Sequence, residues 1–103
     1  MVPVLFKKNK LIEYDVTIFQ TPKFGDGKGY KAVYRLMIPA KNHEDALYQT
    51  FRKFNIPDII PEDYSARYIG TGDIILIDEG KRGQSYYQLQ PGGWTKINRI
   101  HVR

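Results

Sequence analysis

Only one stretch of the chain carries a helical period, and it stands between runs that alternate like strands. In "KNHEDALYQTFRKFN", Leu47, Phe51 and Phe54 recur at i, i+4 and i+7 and form one apolar stripe. Such a stripe predicts a helix packed on a sheet. Asn42 is placed to accept a backbone N–H of the first turn, and Asp45 three residues later imitates a capping box. Glu44 and Asp45 lie where the helix dipole favours acids, Arg52 and Lys53 where it favours bases. Pro57 stops continuation. A chain with one such helix has to build the rest of its core from strands.

The flanking runs supply them. "LIEYDVTIFQ" alternates, with Ile12, Tyr14, Val16 and Ile18 on one face and Glu13, Asp15 and Thr17 on the other. "TPKFGDGKG" is dense in turn formers, and "YKAVYRLMIP" reads as the next strand, ended by Pro39. The glycines at 25, 27 and 29 are followed by a β-branched, aromatic run rather than a helix, so they mark a hairpin loop and not a phosphate cradle. After the helix, "DIILID", "QSYYQLQ" and "WTKINRIHVR" are separated by "EGKRG" and "PGG", a three-strand meander. The order β-β-α-β-β-β, with one helix on one face of a small antiparallel sheet, defines an α+β fold.

Two segments are less regular. "IPDIIPEDYSARYIG" has two prolines four residues apart and reads as an ordered connection with a helical turn near Pro61, Glu62 and Asp63. The pattern leaves open whether Tyr64 and Tyr68 pack or lie exposed. In the last strand Ile97 and Ile100 have opposite parity, which a bulge near Asn98 and Arg99 would reconcile.

At 103 residues the chain fits a single domain, 1–103, with residues 1–10 expected as a flexible basic arm. Its apolar residues precede the lysines at the start, the reverse of a secretory signal, and no run is long enough for a membrane span. Together with the absence of cysteine, this points to a cytoplasmic location. Net charge is +5, yet residues 58–79 hold six acids against one base, Arg67. That asymmetry either steers a charged partner or reflects solvated edges.

Catalytic chemistry is sparsely supplied. The two histidines, His43 and His101, have no further ligands at metal-binding spacing, and no cofactor motif occurs. An arrangement of Ser85, His101 and Asp78 is conceivable across the meander but lacks a nucleophile elbow and an oxyanion loop. Asp78 and Glu79, adjacent on a strand, face opposite sides and cannot act as a carboxylate pair. The chain is therefore expected to be non-enzymatic, without a metal, a cofactor or a small-molecule substrate.

Binding residues are better represented. Tyr86 shares its face with Gln84, Gln88 and Gln90, so it is expected to be exposed; Tyr87, with Ser85 and Leu89, is expected in the core. Tyr86, Trp94, Lys96, Arg99 and Arg103 thus form a candidate partner-binding set. Basic residues beside aromatics on a sheet can also hold single-stranded nucleic acid, which is the alternative reading.

The stretches "YDVTIFQTPKF", "GYKAVYRLMIPA", "NHEDALYQTFRKFN" and "GTGDIILIDEGKRGQSYYQLQPGGW" together resemble the YodL family of spore-forming Bacillus-type bacteria. The most specific part resembles the wider YodL-like domain, in which Asp-Ile/Val-Ile/Val is followed by Tyr-Tyr and by an aromatic after glycine. Those positions are Asp73, Ile74 and Ile75, Tyr86 and Tyr87, and Gly93 and Trp94. The turn from Glu79 to Gly83 is longer here, and Trp94 replaces the usual phenylalanine. The resemblance implies a non-enzymatic cytoplasmic protein, made at the onset of sporulation, that interferes with the actin-like filament protein MreB and alters cell shape. It brings no catalytic residues with it.

Overall fold

The computed structural model describes residues 10–99. Its elements run β1 (Ile12–Gln20), β2 (Lys31–Ala40), α1 (His43–Asn55), β3 (Ile74–Asp78), β4 (Gln84–Gln90) and β5 (Gly93–Ile97), with a 3-10 turn at Gly80–Arg82. This is the expected α+β order. The strands form one antiparallel sheet in the order β2-β1-β3-β4-β5. β1 and β2 make the first hairpin across the glycine-containing loop, and β3, β4 and β5 make the meander.

Register assigns the faces. Tyr14 opposes Ile38, Val16 opposes Leu36 and Ile77, Ile18 opposes Tyr34 and Ile75, and Ile75 opposes Tyr87. Residues directly opposite share a side, so this row forms the face on which α1 packs. From α1 come Ala46, Leu47, Thr50 and Phe54, all buried. Phe54 and Tyr64 sit with ring centroids 4.8 Å apart, and both meet Tyr34 edge-on.

The helix begins as its sequence requires. The Asn42 side chain accepts from the Asp45 N–H at 2.9 Å, and the Asp45 carboxylate accepts from the Lys41 N–H at 2.9 Å. Its inner face is turned slightly from the expected stripe. Leu47 and Phe54 are buried, but Phe51 is 36% exposed and Thr50 takes the inner place, its hydroxyl donating to the Ala46 carbonyl.

The connection from 56 to 73 is ordered by polar contacts. Turns close at Ile56–Ile59 and Pro61–Tyr64, the second at the place expected for a helical turn. Asn55 donates to and accepts from the backbone of Ile69, tying the helix end to this segment. Tyr64 packs in the core and Tyr68 stays exposed.

Three expectations need correction. β2 continues through Pro39 to Ala40, because β2 is an edge strand and proline is tolerated where one side makes no ladder. β5 ends at Ile97, short of the long last strand expected, so no bulge is needed at Asn98 and Arg99; Ile100, His101 and Arg103 lie outside the described residues. So does nearly all of the expected basic arm, of which only Lys10 is described.

The third correction concerns Tyr86, which is 8% exposed rather than open to solvent. It does lie on the face opposite α1, as its parity requires. That face carries a small cluster of its own, in which Phe19, Tyr30 and Ile97 pack around Ile74, Leu76 and Tyr86. The signal was present in "IILI": a strand apolar at consecutive positions is buried on both faces.

Candidate functional site

Alpha-helical cover is offset on its face of the sheet. α1 packs chiefly toward the β2 side, and the β4–β5 hairpin beside it is left partly open. Between them runs a groove of about 680 Å³. Leu47, Tyr48 and Phe51 line its helical wall, and Tyr87, Leu89 and Trp94 line its sheet wall. Leu89 opposes Trp94 and Tyr87 opposes Lys96, which places all four on the α1 side of the sheet. Tyr48 is 61% exposed. Gly92 and Gly93 close the hairpin end, and the φ of +127° at Gly93 is a backbone conformation that favours glycine.

One end of the groove is set by His43. Its Nε2 lies 3.0 Å from Glu79 Oε1, and its Nδ1 lies 2.7 Å from the Tyr87 hydroxyl. A carboxylate only accepts, so Nε2–H donates to Glu79, and Nδ1 shares a hydrogen bond with the Tyr87 hydroxyl. Tyr14 meets the same ring edge-on at 5.4 Å. Burial pushes the Tyr87 hydroxyl above its ordinary pKa, and burial followed by the nearby Glu79 charge does the same for Tyr14. This arrangement joins α1, the turn after β3, and β4, and so holds the two walls of the groove in fixed relation.

The expected binding set is divided. Trp94 lies half-buried in the groove and Lys96 is exposed on the same side, with Arg99 exposed just beyond β5. Tyr86 is on the opposite face and cannot join them. Arg103 lies outside the described residues. Sequence reading missed Tyr48, Phe51, Leu89 and His43. The first three were hidden because a single helical stripe says nothing of where across a sheet the helix will sit.

Of the conceivable triad, Ser85 and Asp78 lie on opposite faces of the sheet. Ser85 opposes Ile77 on the α1 side, whereas Asp78 opposes Asp15 and Gln84 on the other. Asp78 accepts from the Gly80 N–H and from Gln84, contacts that hold its carboxyl below the usual carboxylate pKa. His101 is outside the described residues. Among the described residues, no three histidine, aspartate or glutamate side chains converge as metal ligands, and no helix is long and apolar enough to cross a membrane.

A second polar cluster lies away from the groove. Asp73, 2% exposed, accepts from Gln20 at 3.0 Å, from the Gly70 N–H at 2.9 Å and from Arg67 at 3.1 Å. Arg67 also donates to the Thr21 carbonyl, and its guanidinium lies 5.7 Å from the Phe24 ring centroid. Apart from the buried Arg67 Nε, which has no hydrogen-bond partner among the described residues, the cluster's polar groups tie the end of β1 to the 56–73 connection, which marks it as a brace.

No protein-family model matches the chain, and no solved structure does. Among curated proteins, the one designated "Uncharacterized protein YodL" from Bacillus subtilis (strain 168) is 55% identical over 103 residues, covering 100% of this chain and 98% of that protein. Identity at that level along both full lengths places the chain in the YodL family.

Proposed function

We propose that this member of the YodL family is a non-enzymatic, cytoplasmic protein-binding module, and that its partner is the actin-like filament protein MreB, whose disturbance alters cell shape around sporulation. The choice of MreB rests on the likeness to YodL. The choice of surface rests on one observation: a groove walled by Leu47, Tyr48, Phe51, Tyr87, Leu89 and Trp94 stands open beside exposed Lys96. Aromatic side chains in a partly desolvated depression are where protein interfaces concentrate their energy, with polar groups around the rim. Arg99 is exposed just beyond β5, while Tyr86 contributes through the fold alone.

The test is binding of the purified protein to purified MreB. Trp94→Ala is expected to weaken binding by roughly tenfold or more, the scale of a central aromatic anchor. Lys96→Glu and Arg99→Glu are expected to weaken it less and to reduce its salt sensitivity. Binding that is undetectable removes MreB; binding that survives Trp94→Ala unchanged removes the groove.

A second reading is supported by the same Trp94 beside Lys96 and Arg99: stacking and phosphate neutralisation on a single-stranded nucleic acid. Its mark is an affinity for oligonucleotides that falls steeply with salt. A partner complex from sporulating cells that survives nuclease decides for protein.

A further inference from the structure

We propose that the open edge of β5 pairs with the same edge of a second copy of this chain, antiparallel and with Thr95 opposite Thr95, so that two sheets join into one. The pairing goes beyond the protein-binding reading and does not depend on which partner the groove takes.

Backbone direction is the first ground. The Leu89 N–H donates to the Asp73 carbonyl and the Leu89 carbonyl accepts from the Gly72 N–H, so Leu89 turns its backbone groups toward β3. Along an antiparallel ladder these groups alternate from one side of a strand to the other. Tyr86, Gln88 and Gln90 therefore turn theirs toward β5, where they oppose Ile97, Thr95 and Gly93. The N–H and C=O groups of Trp94 and Lys96 are left pointing away from β4, and among the described residues no strand lies beyond β5.

The second ground is that this edge complements itself. A two-fold axis at Thr95 sets Trp94 opposite Lys96 of the second copy, and Lys96 opposite Trp94 of the second copy. Each of these pairs exchanges both of its N–H···O=C bonds. Opposed residues share a face, so on the α1 side each lysine meets an indole, the partners of a cation–π contact. On the other side Ile97 meets Gly93 of the second copy, which has no side chain to obstruct it. Thr95 is exposed and meets its own counterpart across the axis, a pairing that sheets favour. The two lysines fall on a diagonal, not opposite each other. Moving the axis to Lys96 would oppose two lysines, and moving it to Trp94 would set Lys96 and Ile97 against Gly92 and Pro91 of the turn.

The third ground is the contrast with the other edge. Carried through β3 and β1, the same alternation leaves Arg35, Met37 and Pro39 facing outward from β2. Pro39 has no N–H to offer, the register shifts between Ile18 and Phe19, and Arg35 is held by Asp15 at 2.6 and 2.9 Å. Proline, bulges and charged side chains are how open edges are kept from pairing. β5 is short but contains no proline, and its one charged residue, Lys96, faces an indole in this register. The axis stands normal to the sheet, so both copies of α1 lie on one side and the two grooves flank it. A filament of repeated subunits would then be met at two points, the second at raised effective concentration.

Residue 95 lies on the axis and decides the test. Sedimentation velocity of the full-length protein from about 1 to 300 µM is expected to show monomer passing to dimer. Thr95→Glu and Thr95→Lys change an exposed side chain, and each opposes like charges across the axis. Each is expected to weaken the dimer roughly tenfold or more with its circular dichroism spectrum kept, and an equimolar mixture of the two to recover it. The chain has no cysteine, so Thr95→Cys reads the register directly. Opposed residues that do not share hydrogen bonds have Cα atoms about 4.5 Å apart, inside the disulfide range of about 4.4–6.8 Å. Mild oxidation is expected to link Thr95→Cys into a dimer roughly tenfold faster than Lys96→Cys, whose counterpart lies on the longer diagonal.

A monomer throughout that concentration range overturns the proposal. A dimer indifferent to both charged variants overturns it, and so does one weakened by both that the mixture fails to recover. A dimer that Met37→Glu dissociates and Thr95→Glu leaves intact moves the pairing to β2, which overturns it as well. Equal rates of disulfide formation at 95 and 96 remove the register and the proposal with it.

Discussion

Asp73 shows how much a single carboxylate can organise in a small sheet protein. It is buried at the entrance to β3, and its two oxygens accept hydrogen bonds from a β1 side chain, a backbone N–H and Arg67. Arg67 is partly exposed, so the pair is not wholly desolvated, yet loss of Asp73 would leave three donors facing apolar surroundings. Removing one partner of a buried ion pair costs on the order of 3 kcal/mol or more. Asp73→Ala is therefore expected to lower unfolding stability by about 3 kcal/mol in urea titration. Asp73→Asn, which keeps one acceptor and the shape, should cost less. A loss under about 1 kcal/mol for the alanine variant would show that the cluster is ornamental to the fold. His43 has a different reach: its two ring nitrogens join α1 to Glu79 and Tyr87, so it sets the spacing of the groove rather than anchoring the chain's connection.

Among elements, the helix start is the most local device and the easiest to test. Asn42 satisfies the Asp45 N–H, and replacing such a cap by alanine costs about 1 kcal/mol. Asn42→Ala is expected to lower the thermal midpoint by several degrees, the shift that about 1 kcal/mol produces in a domain of this size. An unchanged midpoint would mean that packing of Ala46, Leu47, Thr50 and Phe54 alone holds the first turn. The same contrast between local and tertiary causes explains what the sequence made legible. Caps, periods and turn residues are local, so the order of elements, the Asn42 cap and the loop character of the 25–29 glycines could be read in advance. Pro39 within β2 depends on that strand being at an edge, which only the sheet order reveals. The burial of Tyr86 is not legible in its polar glutamine neighbours along β4, because the residues that bury it, Leu76 and Ile97, lie across the ladder. The groove depends on where α1 sits across the sheet, so neither wall announced it.

At the scale of the whole molecule, the sheet is apolar on both faces around β3, and its tyrosines are distributed through that packing. Burial raises the hydroxyl pKa of Tyr14, Tyr64 and Tyr87 above the usual 10.0, and the hydrogen bond to Asp63, ahead of burial, raises that of Tyr34. A raised pKa means that the folded protein holds its tyrosyl protons more tightly than the unfolded chain does. Above pH 10 the unfolded chain binds fewer protons, so stability falls with rising pH. The contribution is fully present below about pH 10 and is lost as pH climbs through the folded values. Three of these rings join α1, its face of the sheet and the 56–73 connection, so their ionisation should loosen those parts together. The urea midpoint is expected to stay level through neutral pH and to fall above about pH 10, in step with tyrosinate absorbance. A Tyr64→Phe, Tyr87→Phe double variant should show a shallower fall, because the phenyl rings keep most of the packing and have no proton to lose. Tyrosinate absorbance rising in one step at the ordinary value, with the midpoint unchanged, would place these hydroxyls in water and contradict the packing of the core they are assigned to.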